Sequence, residues 1–244
     1  MTEFGKSKVL LVLPNGLQAV PNECSRTWNR ADWHADPRTV DLEQLERRSG
    51  SLVDSFNTLW ATARNYRDHG KADYFAMCHA DIEPGSWWIN DLLSEMRLRN
   101  ASVCSAVVAI KDHGRKLTSA AIGKVDDRYE HRCLTLDDLD KLPGTFDTEQ
   151  CCQPGELLVI NTGLWICDLR QSWVDEWVFP QTCEIVRDKT DQRWVSRLVT
   201  EDWEMSRFLH ARGVRYVCTR KVVTRHWGFD YWEVGPRKWS FPKS

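Results

Sequence analysis

Polar residues that could bind a ligand stand directly after several apolar segments of this sequence. Four such groups are Pro14-Asn15-Gly16, His79-Ala80-Asp81, Lys111-Asp112 and Asn161-Thr162-Gly163. Two further positions are Glu201-Asp202, at the start of a predicted helix, and His226, after a late predicted strand. In open α/β sheets the ligand binds at the carboxyl ends of the strands. A surface turn explains any one group, but several strand ends supplying polar groups to one edge predict a binding site.

His79 and Asp81 form the most informative of these groups. They are two residues apart, so in an extended backbone their side chains point the same way. One imidazole and one carboxylate suit a divalent cation, with phosphate oxygens and water completing its coordination. The alternative is a simple turn in which Asp81 accepts hydrogen bonds from backbone amides ahead of Pro84-Gly85.

Strands and helices alternate along the first half of the chain, as the apolar periodicity indicates. Strands are predicted over Lys8–Gly16, 72–79 and Ala101–Ile110, because each is a short apolar run that ends at turn residues. Helices are predicted from Ser51, which with Asp54 forms a capping pair, and from Pro84-Gly85 to about Arg97. The polar residues 17–50 are predicted to be a loop or a mobile excursion.

The second half is less regular. Residues 124–154 are rich in Asp, Pro and Gly and predict a surface excursion, whereas 156–170 predict a strand that turns at residues 161–163 and enters a short helix. Thr200 should cap a helix that runs to about Arg212, followed by two short strands or one bent strand. We therefore predict an α/β fold with a mixed, mainly parallel Rossmann-like sheet flanked by helices, in a single domain over residues 1–244.

The order of these segments resembles that of glycosyltransferases with the GT-A fold, particularly family-2-like members. The corresponding pieces read LLVLPNG, SFNTLWATARN, YFAMCHADIEP, VINTGLWICDLR, TEDWEMSRFLHARG and VVTRHWG. The resemblance spans roughly residues 8–228, and its strength lies in the order and spacing of motifs that are individually short. It implies a nucleotide-binding half over about 8–123 and an acceptor-binding half over about 124–244.

The resemblance gives roles to particular positions. Asp81 matches the second acid of the Asp-x-Asp motif, which binds the metal on the nucleotide diphosphate, and His79 stands where the first acid would be. His226 matches the late metal-binding His, so the implied cofactor is Mn²⁺ or Mg²⁺ held by Asp81, His226 and His79. Asp202 matches the general base of inverting members, which takes the proton of the acceptor hydroxyl. For His226, packing beside Trp227 in the core is the alternative, and for Glu201 and Asp202 it is stabilisation of a helix start.

Further donor contacts follow from the same comparison. The residues assigned to the nucleotide-sugar donor are Pro14, Asn15, Asn57, His79, Asp81, Lys111, Asn161, Thr162, Gly163, Glu201 and Trp203. Asn57 could equally face solvent, and Lys111 with Asp112 could form a plain turn ending at Gly114. Sugars stack on indoles, and Trp87 and Trp203 are the best candidates for an acceptor platform, since Trp88 has the helical phase of a core residue.

The composition limits the setting and the partners. A net charge of −2 and a pI near 6.4 give no overall reason to bind nucleic acid or membrane, although the segment 215–243 is locally basic. Nine cysteines without any CxxC pair favour free thiols in the cytoplasm, or in the host cytoplasm if the protein is viral, over zinc binding. No membrane span is predicted.

The expected donor is a nucleotide sugar, with UDP-sugars as the first expectation, and the acceptor is a glycan, a protein or modified DNA. Three functions stay open at this point. The first is an inverting glycosyltransferase, including one that acts on hydroxylated DNA bases. The second is a non-catalytic nucleotide- or carbohydrate-binding domain on the same fold, which the His at position 79 would suit. The third is a nucleotidyltransferase, although LPNGLQAVPNE lacks a Gly-rich basic phosphate loop.

Overall fold

The computed structural model describes residues 5–15, 20–111, 117–188, 190–228 and 231–235. A seven-stranded sheet forms its centre, in the order β2-β1-β3-β10-β5-β13-β8. Its strands are β1 (Ser7–Asn15), β2 (Val40–Arg48), β3 (Tyr74–Cys78), β5 (Val103–Ala106), β8 (Thr145–Phe146), β10 (Leu164–Asp168) and β13 (Tyr216–Thr219). Five of the strands run in one direction, while β10 and β8 run antiparallel to their neighbours. The predicted mixed, mainly parallel sheet is confirmed.

Helices cover both faces of this sheet. They are α1 (Asn22–Trp28), α2 (Ala31–His34), α3 (Leu52–Asp68), α4 (Trp88–Leu98), α5 (Leu136–Leu139), α6 (Thr148–Cys151), α7 (Glu201–Ala211) and a 3-10 turn at Ser172–Asp175. Alternate residues of β1 enter two separate hydrophobic cores: Leu10 and Val12 pack with α3, and Val9 and Leu11 pack with α4. This division explains why the strand is an unbroken apolar run.

Three smaller sheets complete the described fold. β4 (Ile82–Pro84), β14 (Thr224–Trp227) and β15 (Tyr231–Val234) form one; β6 (Leu117–Lys124), β7 (His131–Thr135) and β9 (Glu156–Val159) form another. β11 (Thr182–Arg187) and β12 (Trp194–Val199) form a hairpin. Within the part of the chain that the structure describes, no helix is long and apolar enough to cross a membrane.

The predicted start of α3 is confirmed, whereas α4 begins at Trp88 and not at Pro84-Gly85, because Pro84 lies in β4. The Ser51 side chain accepts a hydrogen bond from the Asp54 amide at the start of α3. Phe56, Leu59 and Trp60 of this helix are buried, as their spacing predicts. The late residues also form two short strands, β13 and β14, which was one of the two predicted arrangements.

Three predictions about irregular segments were wrong. Residues 17–50 contain α1, α2 and β2, and β2 pairs with β1 along nine residues as a half-exposed edge strand. Residues 124–154 contain β7, α5, β8 and α6 instead of a surface excursion, and β8 joins the central sheet. The segment after Gly163 is the buried strand β10 and not a helix, because LWICD inserts between β3 and β5.

Candidate functional site

Asp81 lies just beyond the carboxyl end of β3 and contacts two cationic or basic side chains. Its Oδ2 atom is 2.6 Å from Nζ of Lys111 and 3.3 Å from Nε2 of His226. Its backbone carbonyl accepts a hydrogen bond from the amide of Trp227 at 2.8 Å, which fixes the loop against β14. The structure therefore brings together Asp81, Lys111 and His226, which the sequence had named separately.

His226 is oriented by its second ring nitrogen. Nδ1 lies 2.8 Å from the carbonyl oxygen of Ala109, so Nδ1 must carry the proton and donate it. The Nε2 atom that faces Asp81 then either carries a second proton or presents a lone pair to a cation. A backbone carbonyl that fixes the tautomer in this way is the usual support of a metal-binding His.

The charges around Asp81 keep its carboxylate ionised. Burial alone would raise the pKa of Asp81, but hydrogen bonds and charge from His226 and then Lys111 outweigh burial and hold that pKa well below its usual range. An ionised carboxylate beside a lysine and a histidine can bind either a cation or, through its partners, an anionic phosphate.

His79 makes no hydrogen bond to this ion-paired group among the described residues, although it interacts electrostatically with Asp81. Its ring stacks on Phe56 with centroids 5.4 Å apart, and its amide donates to the carbonyl of Gly163 at 2.7 Å. The Nε2 atom is buried without a hydrogen-bond partner among the described residues, and burial lowers the pKa of His79 to about 4. His79 is therefore neutral, unlike the acid that the resemblance would place there.

Asp81 and His226 together fit a divalent cation that is shared with a ligand. No group of three His, Cys, Asp or Glu side chains suited to a metal occurs in the described residues, so the protein offers one carboxylate and one imidazole. Mg²⁺ commonly takes only one or two protein ligands and completes its shell with substrate phosphates and water. The residues present are consistent with that kind of site and not with a metal cage made by the protein alone.

The turn between β9 and β10 is tightly built. Asn161 Oδ1 accepts hydrogen bonds from the amides of Gly163 at 2.6 Å and Leu164 at 3.1 Å, while the Asn161 carbonyl accepts from Ser105 Oγ at 2.6 Å. A Cβ on Gly163 would lie 2.8 Å from Asn161 Oδ1 and 2.9 Å from Ile82 Cδ1. Only glycine fits here, so the backbone of the turn approaches the end of β3 closely.

Thr162 connects this turn to the acid pair at the start of α7. Its Oγ1 atom donates to Oε1 of Glu201 at 3.3 Å. Burial, followed by the negative charge of Asp202, raises the pKa of Glu201 to about 7. A carboxyl group with that pKa can hold or release a proton near neutral pH.

Asp202 follows Glu201 in the first turn of α7. Its Oδ1 accepts a hydrogen bond from Thr200 Oγ1 and one from the amide of Trp203 at 3.0 Å. Burial raises the pKa of Asp202, while these hydrogen bonds and the nearby His131 lower it in part. Trp203 lies beside His131, with ring centroids 3.6 Å apart, and packs on the β6–β7–β9 sheet.

Two predicted donor contacts have structural partners. Asn57 pairs with the backbone of Phe179 through both halves of its amide, at 2.8 Å and 2.9 Å. Asn15 is buried, donates to Glu46 at 3.3 Å, and follows Pro14 at the carboxyl end of β1, the same edge at which β3 ends. Gly16 and Asp112 lie outside the described residues.

The tryptophans predicted to form an acceptor platform are not equivalent. Trp88 is fully buried in the core, as its helical phase predicted. Trp87 is 47% exposed and its indole donates to the carbonyl of Asp32, so it belongs to the surface around α2. Sequence reasoning missed Phe56 as the stacking partner of His79 and His131 as the neighbour of Trp203, because both contacts join distant segments and carry no local signal.

Comparison with a solved structure supports the mixed α/β fold described above. The chain is similar to the structure described as "Crystal Structure of A197 from STIV", with a TM-score of 0.52 and 10% identity over 97% of this chain and 98% of that chain. A weaker likeness, with a TM-score of 0.41 and 13% identity, covers 87% of this chain and 89% of a CMP:2-keto-3-deoxy-manno-octonic acid synthetase complexed with CTP. No family model and no curated protein matches the sequence.

Proposed function

We propose that this protein is a glycosyltransferase of the GT-A type, which moves a sugar from a nucleotide-sugar donor to an acceptor hydroxyl. One observation carries the proposal: a connected set of contacts runs from Asp81 to the acid pair of α7. His79, two residues before Asp81, bonds to Gly163, and Thr162 in the same turn bonds to Glu201. A charged group for the diphosphate and a carboxylate for the acceptor thus stand on either side of one glycine turn.

The donor diphosphate belongs beside Asp81, Lys111 and His226. A divalent cation, Mn²⁺ or Mg²⁺, would be held by Asp81 and His226 and would neutralise charge on the departing diphosphate. Lys111 supplies a fixed positive charge next to the same position. The donor sugar would lie beside the 161–163 turn, where Asn161 is partly exposed.

The transfer step uses the acid pair. The acceptor oxygen forms a bond to the anomeric carbon, the bond from that carbon to the diphosphate oxygen breaks, and the acceptor proton passes to the carboxylate of Asp202. The reaction inverts the anomeric centre because attack and departure are on opposite faces. UDP-sugars are the first donors to test, and glycans, proteins and modified DNA are the acceptor classes to test. All nine cysteines are free, which is consistent with a cytoplasmic location.

A non-catalytic nucleotide- or carbohydrate-binding domain is the second candidate. It is favoured by one observation, that Oδ1 of Asp202 already accepts hydrogen bonds from Thr200 and Trp203. Both candidates bind a ligand, but only the glycosyltransferase converts it to a product.

A donor panel separates them. We expect a UDP-sugar to stabilise the protein in a thermal-shift assay and to be slowly hydrolysed, with Mn²⁺ increasing both effects. Binding without any hydrolysis or transfer would support the second candidate. No binding of any nucleotide sugar would reject the glycosyltransferase and leave only a carbohydrate-binding domain.

A further inference from the structure

A cavity of about 310 Å³ opens on the reverse face of the strand pair that carries the Asp81 site. Glu83 of β4 and Arg225 of β14 pair in register and line this cavity. Their neighbour His226 faces Asp81 instead. Because successive residues of a strand point to opposite faces, the cavity and the proposed donor site lie back to back across one ribbon.

Trp33 forms a fixed aromatic wall of the cavity. Its indole Nε1 donates to the carbonyl of Pro84 at 2.9 Å, and its own carbonyl accepts from the amide of Trp87 at 2.6 Å. Arg30, which does not line the cavity, lies 5.3 Å from the centre of the Trp33 ring. An aromatic residue whose indole N–H and backbone carbonyl are both hydrogen-bonded loses little entropy when a ligand packs on its ring.

Trp87 at the rim has a strained backbone. It adopts a left-handed conformation with φ of 60° and yet is 47% exposed, directly after the cavity residue Ser86. A non-glycine residue in this region costs on the order of 1–2 kcal/mol. Hydrogen bonds to the carbonyls of Asp32 and Trp33 maintain it. Strain that holds an exposed indole beside a cavity is typical of a binding site.

The polar lining of the cavity mixes acceptors and donors without net charge. The charged side chains are two carboxylates and two cations, namely Glu83, Asp91, Lys221 and Arg225. The Asp91 side chain makes no hydrogen bond with the described residues and lies near the charges of Lys221 and Glu95, and Ser86 is exposed. Glu83 and Arg225 pair with each other at 3.2 Å and Lys221 pairs with Glu95 at 2.6 Å, so most of these charges are already compensated within the protein. A neutral ligand with many hydroxyl groups can both donate and accept here.

We propose that this cavity binds a neutral monosaccharide or disaccharide unit, separately from the nucleotide site. Its volume is at the lower end of ligand cavities, which suits a ligand of that size. In a glycosyltransferase it would hold a non-reacting sugar of the acceptor. That role rests on the proposed function, but the binding itself does not.

The test follows the indole N–H signals of Trp33 and Trp87 by NMR. The probes are methyl glycosides of glucose, galactose, mannose and N-acetylglucosamine, together with maltose, cellobiose and lactose. We expect at least one to shift the Trp33 and Trp87 signals saturably while the signal of Trp203 beside the acid pair stays in place. Added UDP should not displace the sugar.

Substitutions of exposed residues keep the test independent of folding. D91N and S86A should each weaken the sugar affinity about tenfold, since each removes a hydrogen-bonding group of the cavity lining that has no side-chain hydrogen bond among the described residues. The matched controls are D137N on α5 and S94A on the exposed side of α4, which should leave the affinity unchanged. If no probe shifts Trp33 and Trp87, or if the shift occurs at Trp203 alone, the proposal is wrong. UDP binding is measured separately. An absence of UDP binding would reject the proposed function but would not affect the test of sugar binding at the cavity.

Discussion

At the scale of single residues, Glu201 links protonation to folding. Burial and then the charge of Asp202 raise its pKa from 4.5 to about 7. The folded protein thus keeps a proton that the unfolded chain has lost. The contribution of Glu201 to the free energy of unfolding is fully present below about pH 4.5 and is lost as the pH rises through about 7. The loss should be roughly 1.4 kcal/mol for each pH unit in that window.

Urea unfolding of E201Q and wild type at about pH 5 and about pH 8 measures this effect. Wild-type stability should fall more steeply between the two pH values than that of E201Q. The control is E149Q, an exposed glutamate on α6. Parallel pH dependence in E201Q and wild type would show that Glu201 ionises normally in the folded protein.

Asp202 is expected to act on the reaction and not on donor binding. D202N removes the proton acceptor while preserving the shape of the side chain and its hydrogen bond from the Trp203 amide. Donor turnover, with water or an identified acceptor, should fall by about 10²–10⁴ fold with unchanged affinity for the nucleotide. The exposed D126N serves as control. Full turnover by D202N would show that Asp202 is not the general base. Glu201, in the same helical turn, would then be the next candidate.

At the scale of secondary structure, Asn57 joins α3 by hydrogen bonds to the segment that follows the 3-10 turn. Both halves of its amide bond to the backbone of Phe179 in a partly buried position. N57A should lower the free energy of unfolding by about 1–3 kcal/mol, because it leaves the Phe179 amide and carbonyl unpaired. Denaturant unfolding measures this, and N65A on the exposed side of α3 is the matched control. A loss of nucleotide affinity without a loss of stability would instead make Asn57 a donor contact.

The elements that could be predicted are those with local signals. The helices α3, α4 and α7 carry a clear 3.6-residue apolar pattern, and β1 and β3 are unbroken apolar runs. β2 was missed because VDLEQLERR is polar on one face and is stabilised by its pairing with β1, which the sequence does not show. β10 was misread because its antiparallel insertion depends on contacts with β3 and β5.

In the candidate site, too, features with a local sequence signal could be predicted and features that depend on tertiary contacts could not. Asp81 and His226 are separated by 145 positions, so only the family resemblance suggested their proximity. The contact of Lys111 with Asp81 and the burial of His79 against Phe56 arise from tertiary packing and have no counterpart in local sequence. The turn at residues 161–163 could be anticipated from its residue types, because Asn and Gly form tight turns.

At the scale of the whole molecule, a chain with a net charge of −2 places two basic side chains beside one carboxylate at the proposed diphosphate site. Lys111 and His226 both contact Asp81, at the edge where β1 and β3 end. Asp81 is therefore the residue whose removal distinguishes two ways of binding a nucleotide. A cation bridge between Asp81 and the diphosphate requires the carboxylate, whereas direct binding by Lys111 and His226 does not.

Calorimetric titration of UDP into wild type and D81N, each with Mn²⁺ and with chelator, tests whether Asp81 holds a cation against the diphosphate. We predict that Mn²⁺ strengthens UDP binding to wild type by at least about tenfold, and that D81N loses this increase while keeping the weaker chelator-resistant binding. D137N should behave as wild type. A cation bridge through Asp81 is contradicted if wild type binds no nucleoside diphosphate, or if D81N retains the full effect of Mn²⁺.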